Sequence, residues 1–229
     1  MKNLILSVAF LGLLGSSAQA GLTLGTNAPP GTPLTMAAGT TSGPMLVNIV
    51  SDNYPNDIMT AWNVTLEILP VTSTTGTLTF QDPATGTPPN PATNYIFGSD
   101  GYGIAATNLG SQLSANDFFY SLSGASAPSV PGAPGANLLQ MDFLASPTAS
   151  GLFGIYAFEG TALTQWTDAD AVPSTQLFSN VPDGTGTVLI GEVLITAVPE
   201  PGSIVLLGTG GAALAGWLWR RKQFVSSDR

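Results

Sequence analysis

Residues 21–197 predict an all-β fold, an antiparallel β-sandwich, and three observations predict it. Trp62-Asn63-Val64-Thr65-Leu66-Glu67-Ile68 alternates strictly, so Trp62, Val64, Leu66 and Ile68 share one face of a strand. Further short apolar runs follow, separated by glycine, proline, asparagine and serine at short intervals, as in a sandwich. No stretch of this body carries a convincing helical period. An apolar segment lies on each side of it, so the full prediction is a β-sandwich ectodomain plus a cleaved signal peptide and one C-terminal transmembrane helix.

Taken in order, Met45 to Val50 is the first strand candidate, then Trp62 to Ile68, and then Thr77 to Phe80 with Leu78 and Phe80 on one face. Asn94 to Phe97, Asp117 to Leu122 and Leu138 to Leu144 follow. Leu152 to Phe158 sets Phe153, Ile155 and Ala157 against Tyr156 and Phe158. Thr187 to Ala197 is interrupted at Gly191-Glu192, which reads as a bulge or as a turn between two short strands. Ala105 to Leu113 is a weak helical candidate. Asp82 to Thr93 and Gly124 to Asn137 are proline-rich loops, and the second could instead divide two small domains. Gly21 to Gly43, rich in Pro, Gly and Thr, is expected to be only partly ordered.

Charge divides the chain more sharply than hydropathy does. The five basic residues are Lys2, Arg220, Arg221, Lys222 and Arg229, and there is no histidine or cysteine. All acidic residues except Glu200 and Asp228 lie in 21–197, where no basic side chain is available to pair with them. Stability there must come from apolar burial, backbone ladders and turn chemistry. The negative field disfavours nucleic acid and anionic membranes. Without cysteine no disulfide is available for an oxidising compartment.

The ends read as export signals. Lys2 precedes an apolar run from Leu4 to Gly15, the length of a signal-peptide core and short for a membrane span. Ala18-Gln19-Ala20 fits the small-x-small cleavage pattern, with Gly21 as first mature residue; an uncleaved N-terminal anchor is the alternative. Near the other end stand Val198-Pro199-Glu200-Pro201, an apolar stretch within 202–219, and Arg220-Arg221-Lys222. Ile204 to Trp219 would span about 24 Å as a helix. Flanking residues could extend it, and Arg220 and Arg221 could reach the headgroups. Pro199 and Pro201 hold the backbone extended, the form a protease or transpeptidase binds, although the triplet reads equally as a stiff spacer. The positive-inside rule keeps both basic ends cytoplasmic and places the body across the membrane.

In these three pieces the chain resembles the PEP-CTERM proteins of Gram-negative bacteria. The resemblance implies export through the Sec translocon with removal of residues 1–20 by signal peptidase. It further implies transient inner-membrane anchoring, recognition of residues 198–222 by an exosortase, and delivery to the outer surface or an exopolysaccharide matrix. Residues 223–229 form a short cytoplasmic tail, longer than the pattern commonly shows.

Catalytic options are narrow. Ser-His-Asp, Cys-His, Schiff-base and usual zinc chemistry all lack residues in 21–197. An acid pair of the glycosidase type remains, Asp168 with Asp170, although the stretch Thr167 to Val172 reads as a solvated, turn-like loop. Asp52, Asn53, Asn56 and Asp57 offer oxygens for calcium within six residues, or an Asx-rich turn without metal. No cofactor is otherwise implied. The functional expectation is a non-enzymatic surface or matrix protein of structural or adhesive role. The alternatives are a carbohydrate-binding module with contacts among Tyr95, Tyr102, Tyr156 and Trp166, and an acid-pair polysaccharide hydrolase.

Overall fold

The computed structural model of the 229-residue chain describes residues 21–81, 94–121, 124–158, 164–169, 175–181, 184, 186–198, 209–215 and 217. The strands are β1 (Leu22–Thr26), β2 (Leu34–Ala37), β3 (Met45–Ser51), β4 (Met59–Pro70), β5 (Leu78–Gln81) and β6 (Ala105–Asn108). They continue as β7 (Gln112–Phe118), β8 (Ala136–Ala145), β9 (Gly151–Phe158), β10 (Gln165–Asp168), β11 (Thr175–Gln176) and β12 (Thr187–Thr196).

Two sheets form a sandwich. One runs β1-β3-β8-β5; the other runs β11-β10-β4-β9-β12-β2, with β7 and β6 continuing from the free side of β4. The long strand β4 is the spine of the second sheet. Its first half pairs with β10, its second half with β9, and its opposite edge with β7. The alternation read in the sequence is the reason: Trp62, Val64, Leu66 and Ile68 all point into the core. They meet Met45, Val47, Ile49, Met141 and Phe143 of the other sheet in one apolar cluster. Leu78 and Phe80 join it, with the Phe80 and Phe143 rings 5.5 Å apart. Phe153, Ile155 and Ala157 face inward and Tyr156 and Phe158 stay half-buried, as the alternation requires.

Several expectations need correction. The sandwich is not wholly antiparallel, because β2 adds in parallel to the outer edge of β12. Residues 21–43, expected to be partly ordered, supply β1 and β2: backbone pairing orders a segment whose composition reads as loop. The helical candidate over 105–113 is a hairpin of β6 and β7, whose interior residues Leu113 and Ala115 are buried with period 2. The strand expected from Asp117 begins five residues earlier, at Gln112. Asn94 to Phe97 is a turn holding one bridge, Tyr95 to Asn137, before a single 3-10 turn at Gly98–Asp100. The interruption near Gly191 resolves as a bulge within one strand, at Ile190. The Thr26 hydroxyl donates to the freed Ile190 carbonyl at 3.0 Å, tying the bulge to the first sheet. The loop 82–93 lies outside the described residues.

Candidate functional site

An aromatic platform projects from the end of β7. Beyond the strand, residues 118–120 continue pairing with 100–102: Tyr102 N donates to the Phe118 carbonyl at 3.0 Å, and Tyr120 N to that of Asp100 at 2.8 Å. Strand alternation then decides which rings face out. Phe119 turns inward against buried Phe97, with ring centroids 6.0 Å apart. Phe118 and Tyr120 turn outward and meet Tyr102. Tyr102 and Phe118 stack at 4.7 Å and 17°, and Tyr120 stands edge-on to Tyr102 at 5.9 Å. Their exposures of 67%, 43% and 55% leave three adjoining rings open to solvent.

The platform rests on a polar anchor. Asp117, 3% exposed, accepts hydrogen bonds from the Tyr95 hydroxyl, from Gly103 N at 3.0 Å and from Phe118 N at 2.8 Å. Trp62 Nε1 donates to the Tyr95 oxygen at 3.3 Å. Burial first, then the hydrogen bond and the charge of Asp117, push the Tyr95 phenol well above its ordinary value. It stays a neutral donor, as a carboxylate acceptor requires. Glycine at residue 101 leaves room for the anchor, because a Cβ there would sit 2.6 Å from Asp117 Oδ2 and displace it. The anchor therefore fixes both strands that carry the outward rings.

Other candidates fall elsewhere. Trp166 is fully buried and donates through Nε1 to the Leu177 carbonyl at 3.3 Å, so no ring face reaches solvent. Tyr95 is part of the anchor, not of the surface, and Tyr156 lies half-buried on β9. Of the proposed sugar contacts, only Tyr102 lies in the platform; Phe118 and Tyr120 were missed. The signal was present in Phe118-Phe119-Tyr120, a run whose alternate residues must share a face, and in Gly101-Tyr102-Gly103. Asp168, expected in a solvated turn, ends strand β10 and is buried, while Asp170 lies outside the described residues.

The loop of Asp52, Asn53, Asn56 and Asp57 spreads its oxygens. Asp52 Oδ1 accepts from Gly21 N at 2.7 Å, whereas Asp57 turns inward and accepts from the Ser51 hydroxyl at 2.6 Å. Asn56 Nδ2 donates to Asn53 Oδ1 at 3.3 Å. The four side chains thus serve three separate contacts within the protein. Among the described residues no cluster of three or more His, Cys, Asp or Glu side chains could hold a metal ion.

At the C-terminus β12 ends at Thr196, and Val198 is exposed two residues on. Pro199, Glu200, Pro201, Arg220, Arg221 and Lys222 lie outside the described residues, as do Ala18 and Ala20. Of the transmembrane helix expected over 202–219, residues 209–215 and 217 are described; they are helical and exposed. Among the described residues no helix is long and apolar enough to cross a membrane.

Comparison with solved structures defines the class of fold as a cohesin-like sandwich. The type III cohesin module of the ScaE cell-surface anchoring scaffoldin of Ruminococcus flavefaciens is similar at 10% identity and a TM-score of 0.50, covering 82% of this chain and 93% of that one. A type I cohesin, OlpC of Clostridium thermocellum, solved with its dockerin, is similar at 11% identity and a TM-score of 0.49, covering 78% and 97%. The third cohesin of ScaC from Acetivibrio cellulolyticus, solved with the ScaB dockerin, gives 17%, 0.44, 76% and 100%. At such identities the likeness concerns fold alone. Comparison with curated proteins gave no match. Residues 197–222 match the family described as the PEP-CTERM protein-sorting motif. The chain is a PEP-CTERM sorting-signal protein, and that signal indicates export and membrane-associated sorting.

Proposed function

We propose that this chain is a non-catalytic surface or matrix protein, cut by an exosortase near Pro199–Pro201 and delivered as an intact sandwich with a structural or adhesive role. The observation that carries this reading is the seam at the C-terminus. The last strand ends at Thr196, and the sorting motif begins at residue 197. A cut at the Pro-Glu-Pro triplet removes no strand residue. The Sec translocon and signal peptidase would act at the other seam, where β1 starts at Leu22. The test is a Pro199→Ala, Pro201→Ala double variant of the full chain, followed by fractionation of the cell envelope. The native protein is expected at the surface or in the matrix, and the variant in the inner membrane. Equal surface delivery of both contradicts the reading.

A second reading, a carbohydrate contact, is favoured by the three exposed rings. Aromatic faces bind the apolar faces of sugars by burial and dispersion, with the tyrosine hydroxyls available as polar handles. The carboxylates of residues 21–197, with no lysine, arginine or histidine among them, favour a neutral glycan over an acidic one. A glycan array with the native protein and with Tyr102→Ala tests it. Binding abolished in the variant supports it; no binding by the native protein, or binding unaffected by the variant, counts against it.

A further inference from the structure

We infer that signal-peptide removal at Ala20–Gly21 builds the one ion pair available to the exported body, between the new Gly21 ammonium and the Asp52 carboxylate. Residues 21–197 contain no lysine, arginine or histidine, so an α-ammonium at Gly21 is the sole cation they can have. The structure places that nitrogen 2.7 Å from Asp52 Oδ1.

The position is built on both sides. Along β3, Leu22 pairs with Ser51, and Asp52 N donates back to the Gly21 carbonyl at 3.4 Å. On the opposite edge, Ser179 N donates to the Leu22 carbonyl at 2.8 Å, and Asn180 brackets Leu24, accepting from its N at 2.9 Å and donating to its carbonyl at 2.7 Å. Gly21 is buried between these edges. A Cβ there would lie 2.8 Å from Ser179 Cβ, so the first mature residue has no room for a side chain. The sandwich therefore specifies glycine where the cleavage pattern places the new terminus.

The chemistry balances with one water. Hydrolysis breaks the Ala20–Gly21 peptide bond; the Ala20 carbonyl leaves as a carboxylate, and the Gly21 nitrogen takes up a proton to become an ammonium. A neutral amide donor to Asp52 becomes a charged one, and charge-assisted bonds are shorter and stronger. An uncleaved chain keeps the amide and gains nothing.

The absence of lysine makes the test direct, because the α-amine is the only amine in 21–197. Full-length protein is exported with its own signal, and the folded product is treated at pH 7 with an acetyl N-hydroxysuccinimide ester. Mass spectrometry then reads acetylation of the N-terminal peptide, normalised to the same protein unfolded in urea. The peptide is expected to begin at Gly21. It should be acetylated about tenfold more slowly in the native protein than in Asp52→Asn, since each unit by which the carboxylate raises the amine's pKa removes about tenfold of the reactive free base. Asp52→Glu should keep the protection. A terminus at any other residue, or equal acetylation of native protein and Asp52→Asn, overturns the inference. Should Asp52→Asn fail to fold, equal acetylation of folded and unfolded native protein is the overturning result. The inference needs export but not C-terminal processing, so recovery of a peptide ending at Arg229 would defeat the exosortase reading and leave this one standing.

Discussion

Replacing Tyr95 by phenylalanine isolates the anchor beneath the aromatic platform. The variant keeps the ring against Phe97, 5.7 Å away, and deletes only the hydroxyl. Asp117 then loses one of three donors, and Trp62 Nε1 loses its acceptor. A hydrogen bond to a charged group contributes about 1.5–3 kcal/mol, and a long neutral one about 0.5 kcal/mol. The expected loss at pH 7 is about 2–3 kcal/mol, equivalent to about 4–12 °C in Tm for a domain of this size. The pH dependence is the sharper signature. An unfolded tyrosine releases its proton near about pH 10. Folded Tyr95 holds its proton well above that, because burial, and then the hydrogen bond and charge of Asp117, oppose the phenolate. Above about pH 10 the folded state therefore binds more protons than the unfolded one, and stability falls by up to about 1.4 kcal/mol per pH unit. Below about pH 10 the contribution is fully present. Phenylalanine has no such proton, so the gap between native protein and variant should shrink at that slope as pH rises. Urea melts followed by circular dichroism between pH 8 and 12 measure it, and the other tyrosines cancel in the difference. A gap that stays constant across that range would refute the assignment of Tyr95 as a neutral donor to a buried carboxylate.

Gly101→Ala should lower Tm by several degrees, because the added Cβ meets Asp117 Oδ2 at 2.6 Å and must displace the anchor; an unchanged melt would contradict the close approach. Tyr102→Ala, on an exposed ring, should leave stability within about 0.5 kcal/mol of native, and a large loss of Tm would mean that the platform is structural. Trp166→Ala should cost about 3–5 kcal/mol through a cavity beneath β10, and a native-like melt would show that the ring is not buried. Burial raises the Asp142 carboxyl above its ordinary value. That group's contribution is complete at acid pH and lost as pH rises through the folded value. Relative to native protein, Asp142→Asn should therefore gain slightly in Tm at pH 7 compared with pH 3, by about 1 °C or less given its exposure; a lower Tm than native at pH 7 but not at pH 3 would reverse that sign.

How much was legible in the sequence depended on where apolar periodicity was strong. β4 alternates without a break from Trp62 to Ile68, and in β9 Phe153, Ile155 and Ala157 mark one face, so these inward residues were readable directly. β1 and β2 were not, because they are short and the prolines and glycine between them, Pro29, Pro30, Gly31 and Pro33, resemble loop composition, and their order comes from partners distant in sequence. The hairpin of β6 and β7 was hidden by alanines and asparagines that fit a helix as well as a strand. In β8 the alternation slips at a bulge opposite Val47 and Asn48, leaving Leu138 and Leu139 both buried, and only the partner strand reveals the slip. The aromatic platform needed tertiary information of the same kind: Tyr102 lies sixteen residues before Phe118, and only the pairing of 100–102 with 118–120 brings them together. The sorting signal was legible because its three parts are contiguous in sequence, within the residues 197–222 that match the motif.

The intact mass of the native, untagged protein recovered from the cell surface or matrix tests the central claim most directly. The account predicts a single species beginning at Gly21 and ending between Pro199 and Pro201, with the sandwich uncut between them. A surface species that still carries Arg229 would contradict it.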